Sequence, residues 1–318
     1  MSTTASAVIK RAILSLVTLV IVTIVISIGV NALPGDVAQT VLGQAATPET
    51  VEAFRRELGL DLPLYMRYFQ WLHGVLTGDF GRSLANGQDV IHLIGPRFYN
   101  TLFLFVATAL VCIPISLALG ILSAIYRNTV FDRIISAVAL TGISFPDFFV
   151  AYIFIVVFSY QLGLFPSIAD VDGNSGTMGR LYASALPILT LSLAVMAHII
   201  RMTRAAIVNV LTNPYIEMAR LKGVRPRKII TRHALPNAMG PIVNVVVLNL
   251  AHLIVGTVVI EVVFAYPGLA QMLIDSVSKR DFPVIQASCL IFAVAYILMN
   301  MIADMIAVAS NPRLRTEN

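Results

Sequence analysis

Charge is what this sequence lacks. Only 12% of its 318 residues are Asp, Glu, Lys or Arg, where a soluble globular domain carries about a quarter. So few ionisable groups cannot clothe a water-facing surface, and 58% of the chain is hydrophobic, with a mean hydropathy of +0.84. The excess apolar surface needs lipid as its solvent. Cysteine is scarce as well: Cys112 and Cys289 fall inside apolar runs, where a thiol behaves as a small hydrophobe, so no disulfide framework is implied. The histidines show no metal-ligand spacing. A phosphate loop of the Gly-x4-Gly-Lys-Ser/Thr kind is missing too, which excludes ATP binding by this chain.

What is there is a set of long apolar runs. Six of them, roughly Arg11–Ala32, Asn100–Ile125, Ile134–Gln161, Ala183–Arg204, Ile242–Ala265 and Val284–Val308, are long enough to cross hydrocarbon about 30 Å thick. Only helices or closed barrels satisfy the backbone in lipid, and these runs are too long for barrel strands, so an all-α membrane protein of six spans is expected. The basic start, Met1 to Arg11, feeds an apolar stretch longer than a signal-peptide core, and is read as a retained first helix.

Orientation follows from where the cations lie. With the N-terminus inside, the inner segments hold fourteen Lys and Arg, six of them between Arg220 and Arg232, against Asp132, Glu217 and Glu317. The outer segments hold eight cations and eleven acids. Both termini are therefore expected in the cytoplasm, and the net charge of +5 belongs to membrane orientation, not to nucleic-acid binding. The expected organisation is residues 1–32 with the first span, an extracytoplasmic segment 33–99, a core 100–308 with an inner loop 207–236, and a tail 309–318.

The outer segment contains two readable helices. Thr47-Pro48 is an N-cap followed by proline at the first helical position, and that helix ends at Gly59. A second, about Pro63–Leu76, carries Tyr65, Tyr68, Phe69, Trp71 and Leu72 and stops before Gly78; its aromatic stripe reads as an interfacial packing face on the membrane.

The inner loop carries the most information. Asn213 and Pro214 open a helix, Gly223 supplies the left-handed residue that ends it, and Pro226 opens a second short helix that Leu235-Pro236 is expected to break near Ala234. The expected object is a compact basic helix-turn-helix. Ala219 and Gly223, four apart, present a low-profile strip for a partner, with Glu217 placed to meet a partner cation. The run Glu217-Met218-Ala219, three residues, Gly223, nine residues, His233-Ala234-Leu235-Pro236 resembles the "EAA" loop of ABC importer permeases, departing from it at Met218 and His233.

The resemblance, to the dipeptide/oligopeptide/nickel branch of those permeases, runs along nearly the whole chain. It is carried by Leu33-Pro34-Gly35-Asp36, Leu58-Gly59-Leu60-Asp61 with Arg67-Tyr68, Gly78-Asp79-Phe80-Gly81-Arg82-Ser83, Arg201 with Thr203-Arg204, Glu261 with Phe264 and Pro267-Gly268-Leu269, Arg280-Asp281 with Pro283-Val284, and Asn311-Pro312-Arg313. It implies a type I, MetI-like permease core with an added N-terminal helix and a small extracytoplasmic helical segment. It further implies a bacterial inner-membrane subunit forming half of a path for di- and oligopeptides, coupled through Glu217, Met218, Ala219, Gly223, Leu235 and Pro236. Expected partners are two ABC ATPase subunits carrying ATP and Mg²⁺, a homologous but different second permease, an extracytoplasmic solute-binding protein and membrane lipid. Nickel chelates, glutathione, opines and oligosaccharides use the same architecture, and a secondary transporter is the rival of another class, although no internal repeat supports it.

Ionisable and amide groups inside spans are candidate functional groups. Asp147, after Pro146, is expected where the third span is broken or wet, with pathway lining and a capping role both open. Glu261 is a candidate for the outer mouth or a gate contact. Asn249 with His252, and Asn300 with Asp304, share helix faces; interhelical hydrogen bonding and solute contact are both open for them.

Overall fold

In the computed structural model, residues 2–32, 37–42, 44, 46–171 and 176–310 are described. The regular structure in this range is helical: α1 (Ser2–Asn31), α2 (Val37–Leu42), α3 (Pro48–Glu57), α4 (Leu64–Thr77), α5 (Val90–Ile125), α6 (Val130–Ser144), α7 (Asp147–Phe154), α8 (Thr177–Ala183), α9 (Ala185–Val210), α10 (Pro214–Leu221), α11 (Pro226–Ile229), α12 (Leu235–Val263), α13 (Leu269–Lys279) and α14 (Phe282–Ser310). Two π-helical stretches, Ile155–Gln161 and Ile230–Ala234, follow α7 and α11. An isolated bridge between Arg82 and Asp89 is the one β pairing among the described residues. The motifs Leu33–Asp36 and Asn311–Arg313, and the tail from residue 311, lie outside the described residues.

Five helical runs are long and apolar enough to cross a membrane, and α6 with α7 makes a sixth as a broken pair bent by 105°. The third span is thus not one continuous helix. Its break sits where proline dictates: Pro146 drives Phe145 out of helical geometry, to φ −102° and ψ 137°. The second span also differs, beginning at Val90 rather than Asn100. At 36 residues, α5 measures about 54 Å at 1.5 Å per residue, more than hydrocarbon alone requires.

The chain forms two compact units, one of Phe103–Tyr266 with the described residues up to Ile13 and from Tyr296, the other of Leu14–Leu102 with Pro267–Ala295. In the first, α9 is the central span: 56% of its most apolar window is buried, against 28% in α5 and α12. Leu186, Leu191 and Ile199 of α9 pack with Leu104 of α5, Ala151 of α7, and Leu253 and Ile260 of α12. Small residues let backbones meet, as in membrane helix pairs generally. A Cβ on Gly120 would lie 2.8 Å from Thr203 Cβ and 3.0 Å from the Ile200 carbonyl oxygen, so α5 and α9 touch almost main chain to main chain. The second unit has its own apolar clusters, one joining Val90 and Ile94 to Leu269, Met272 and Val284, the other joining Val30 and Val37 to Phe282 and Ile285.

The two readable helices of the outer segment form with their anticipated ends. Thr47 and Thr50 make a reciprocal capping box at the start of α3, Gly59 follows its end at φ +64°, and Gly78 caps α4 at φ +83°. Neither α2 nor α13 was anticipated.

Candidate functional site

The hairpin between α9 and α12 is built from local rules. Pro214 occupies the first position of α10 and Glu217 its first turn, favourable for the helix dipole. Asn213 holds the cap position, but its side-chain amide donates to the Val210 carbonyl and accepts no capping bond. The end is closed by a Schellman pair: the Gly223 N–H donates to the Arg220 carbonyl at 2.9 Å and the Val224 N–H to that of Ala219 at 3.2 Å, with Gly223 at φ +74°. A Cβ on Gly223 would meet nothing within 4 Å. Around this turn Glu217, Met218 and Gly223 are exposed, Ala219 and Leu235 half-buried and Pro236 exposed. Tyr215, Met218 and Leu221 add an exposed apolar face, 46%, 55% and 76% accessible, that had not been singled out. Their spacing of three was the readable signal.

The second arm corrects the helix-turn-helix reading. Leu235-Pro236 breaks nothing: the chain winds from Pro226 through the π turn into α12, with the Leu235 N–H bonding five residues back to the Ile230 carbonyl. Proline is unfavourable in an α-helix interior because its ring clashes with the carbonyl four residues back and it lacks an N–H, although α12 also holds Pro241 within its length. The wider π turn just before Pro236 supplies the room. This arm is seated on the first unit by Ile230, Ala234 and Ala238, packed with Ala124 and Ile207. Arg227 adds a 2.7 Å hydrogen bond to the Tyr126 hydroxyl, and Asn237 donates to the Tyr215 hydroxyl at 3.2 Å, joining the arms.

Beneath the hairpin, α9 is locked to the α5–α6 turn by a contact that sequence reasoning did not find. Arg204 donates from Nε and Nη2 to the two Asp132 carboxylate oxygens, at 2.6 and 2.8 Å. The same carboxylate accepts from the Ser123 hydroxyl and, at 2.9 Å, from the N–H of Asn128, whose φ is +67°. Asp132 is buried and has all of its acceptor capacity engaged, which is what makes a charge tolerable at this depth.

The intramembrane candidates separate. Asp147 is the first residue of α7 after the Pro146 break; it interacts electrostatically with His198 of α9, which in turn interacts with His252 of α12. The helices converge there, since a Cβ on Gly256 would lie 3.3 Å from Leu191 Cδ2 and 3.9 Å from Asp147 Oδ2. His198 had been weighed only as a metal ligand; its place in a span was the signal that flags it. Asn249 and Asn300 bond back to their own helices, at the Val245 and Tyr296 carbonyls, and Asp304 lies 2.8 Å from Arg11 Nη1. Glu261 is fully buried in the last turns of α12, and its carbonyl accepts the Tyr266 N–H at 2.8 Å.

In the second unit two distant motifs meet. Asp281 accepts from the Ser83 hydroxyl and from the Leu84 N–H at 3.0 Å, holding the Gly81-Arg82-Ser83 turn against the start of α14. A Ser83→Ala variant is expected to lose about 1.5–3 kcal/mol, the range for a bond to a charged acceptor, measurable as a lower midpoint in detergent-solubilised thermal unfolding.

Comparison with known proteins gives these features a context. Residues 116–316 match the family described as binding-protein-dependent transport system inner membrane component, and residues 5–105 match the N-terminal domain of such membrane components. The chain belongs to this family. It is accordingly the permease subunit of an ABC importer, a multi-pass inner-membrane transport component and not an enzyme, which sets aside the secondary-transporter alternative. The permease is 39% identical over 308 residues to the glutathione transport system permease protein GsiC of Escherichia coli K12, covering 97% of this chain and 98% of that one, and equally to its counterpart in Shigella flexneri serotype 5b. Its fold is that of a chain in the inward-facing MetNI methionine ABC transporter, with a TM-score of 0.55 at 21% identity over 70% of this permease and 97% of that chain. Family membership brings an ATPase and an extracytoplasmic binding protein as partners.

Proposed function

We propose that this permease imports short peptides, glutathione included, and that its 213–236 hairpin is the handle by which two partner ATPases, carrying ATP and Mg²⁺, move the membrane helices. One observation carries the reading. A short helix with an exposed apolar face, Tyr215, Met218 and Leu221, is fixed by a Schellman turn to an arm that continues without a break into the span α12. A surface that must engage a motor and transmit displacement needs both properties. Cargo is supported by the glutathione transport permeases that resemble the chain over nearly its full length. In this reading the termini are cytoplasmic, as the concentration of cations in 220–232 supports. A homologous but different second permease completes the path, and Asp147, His198 and His252 border it.

The test is a Met218→Cys variant with Cys112 and Cys289 replaced by serine and alanine. In sealed vesicles, a membrane-impermeant maleimide is expected to label position 218 only from the cytoplasmic side, and co-assembled ATPase subunits to protect it. Labelling from the opposite side, or labelling indifferent to the ATPase, overturns the handle.

A further inference from the structure

The second unit carries an open cavity of about 540 Å³ that the transport reading does not use. Its wall takes Ser27 and Asn31 from α1, Arg67, Gln70 and Trp71 from α4, and Gln286 from α14, with a mainly apolar remainder. Two arginines line it and no acid does. Arg82 is already paired with Asp89 at 3.0 Å. The Arg67 guanidinium has no carboxylate or hydrogen-bond partner among the described residues although the residue is half-buried, and burial holds it below its ordinary pKa. A partly desolvated, unpaired guanidinium is costly to keep unless an anion joins it. The side-chain amides of Gln70 and Gln286 likewise have no hydrogen-bond partner among the described residues, so the cavity offers further donors beside the cation.

The surroundings say what kind of anion. Ser27 and Asn31 lie at the end of the apolar run of α1, whose Ile21, Ile24, Val25 and Ile28 are exposed on the same and the preceding turns. The Thr23 and Tyr68 hydroxyls, 3.0 Å apart, bind α4 to α1, and Tyr65 and Phe69 of α4 are exposed. Exposed aliphatics ending at a belt of aromatics mark the level where hydrocarbon gives way to headgroups. A polar, cationic cavity at that level, opening beside lipid-compatible surface, matches an amphiphile with an anionic head. We propose that this cavity binds the phosphate headgroup of an anionic phospholipid, with Arg67 as its charged contact and Gln70 and Gln286 as added donors, while the acyl chains lie along α1. The site is independent of cargo and of the hairpin.

Trp71 is the single tryptophan of the chain and stands in the cavity wall, so it reports occupancy. The full-length permease in maltoside micelles is titrated with phosphatidylglycerol carrying brominated chains, which quench indole emission, and separately with phosphatidylcholine carrying the same chains. Saturable quenching is expected from phosphatidylglycerol at concentrations at least about tenfold below those needed for phosphatidylcholine, the scale of one charge-assisted hydrogen bond. An Arg67→Gln variant is expected to remove that preference and Arg67→Lys to keep most of it, while inorganic phosphate leaves the quenching in place. Equal quenching of the wild-type protein by both lipids overturns the proposal, with no variant required. Full relief by inorganic phosphate at lipid-like concentrations overturns it in another way, by making the ligand a soluble anion.

Discussion

An Asp132→Ala permease is expected to unfold with about 3–5 kcal/mol less stability than the wild type, the cost of breaking a buried ion pair by deleting one partner. The magnitude follows from what the deletion leaves behind. Arg204 keeps its charge in a site where only 27% of its side chain reaches solvent, and the Ser123 hydroxyl and Asn128 N–H lose their acceptor. Unpaired groups of that kind cost more than the pair contributes net. The double variant Asp132→Ala/Arg204→Met is therefore expected to recover part of the loss, since it removes the stranded charge together with its partner. Thermal unfolding of Asp132→Ala, Arg204→Met and the double variant in one detergent checks this. Strict additivity of the two single losses would remove the pair from the account of how α9 is held.

Replacing Gly223 with leucine is expected to cut solute uptake by about tenfold or more, while Gly223→Ala cuts it far less. Both residues bear the same left-handed backbone penalty, about 1–2 kcal/mol. Neither Cβ would meet anything within 4 Å, and Gly223 is exposed to solvent. The two variants should thus share a melting midpoint. A difference in uptake between them then reports bulk pressing on something outside the chain, and crowding a packed contact costs about 1–3 kcal/mol, enough for the stated loss. Uptake and ATPase co-purification are measured with membrane insertion as the control. Equal uptake by the alanine and leucine variants would mean that no partner approaches the turn.

The features legible in the sequence were those governed by near neighbours. Thr47-Pro48, Gly59, Gly78, Pro214 and Gly223 marked helix ends because a cap or a positive φ is decided within a few residues. Pro146 marked the place of the break in the third span for the same reason, though not its 105° bend, which depends on how α6 and α7 pack against α9 and α12. The Asp132–Arg204 and Ser83–Asp281 contacts close over 72 and 198 residues, and no local pattern announces such a partner. α13 was missed because eleven residues of mixed polarity between two spans carry too little periodic signal against the apolar runs around them. At Leu235-Pro236 the local rule itself misled, since proline ends an α-helix but not one that has already widened.

From Arg227 to Val263 the backbone runs as one 37-residue rod, about 55 Å at the α-helical rise, more than the depth of the hydrocarbon. A shove at its near tip must reappear at the far tip, beside the buried Phe264 and Tyr266, as tilt or roll. The wider coil at Ile230–Ala234 and Pro241 inside α12 are the places where this shaft departs from regular hydrogen bonding, and both lie nearer the Arg227 tip than the Val263 tip.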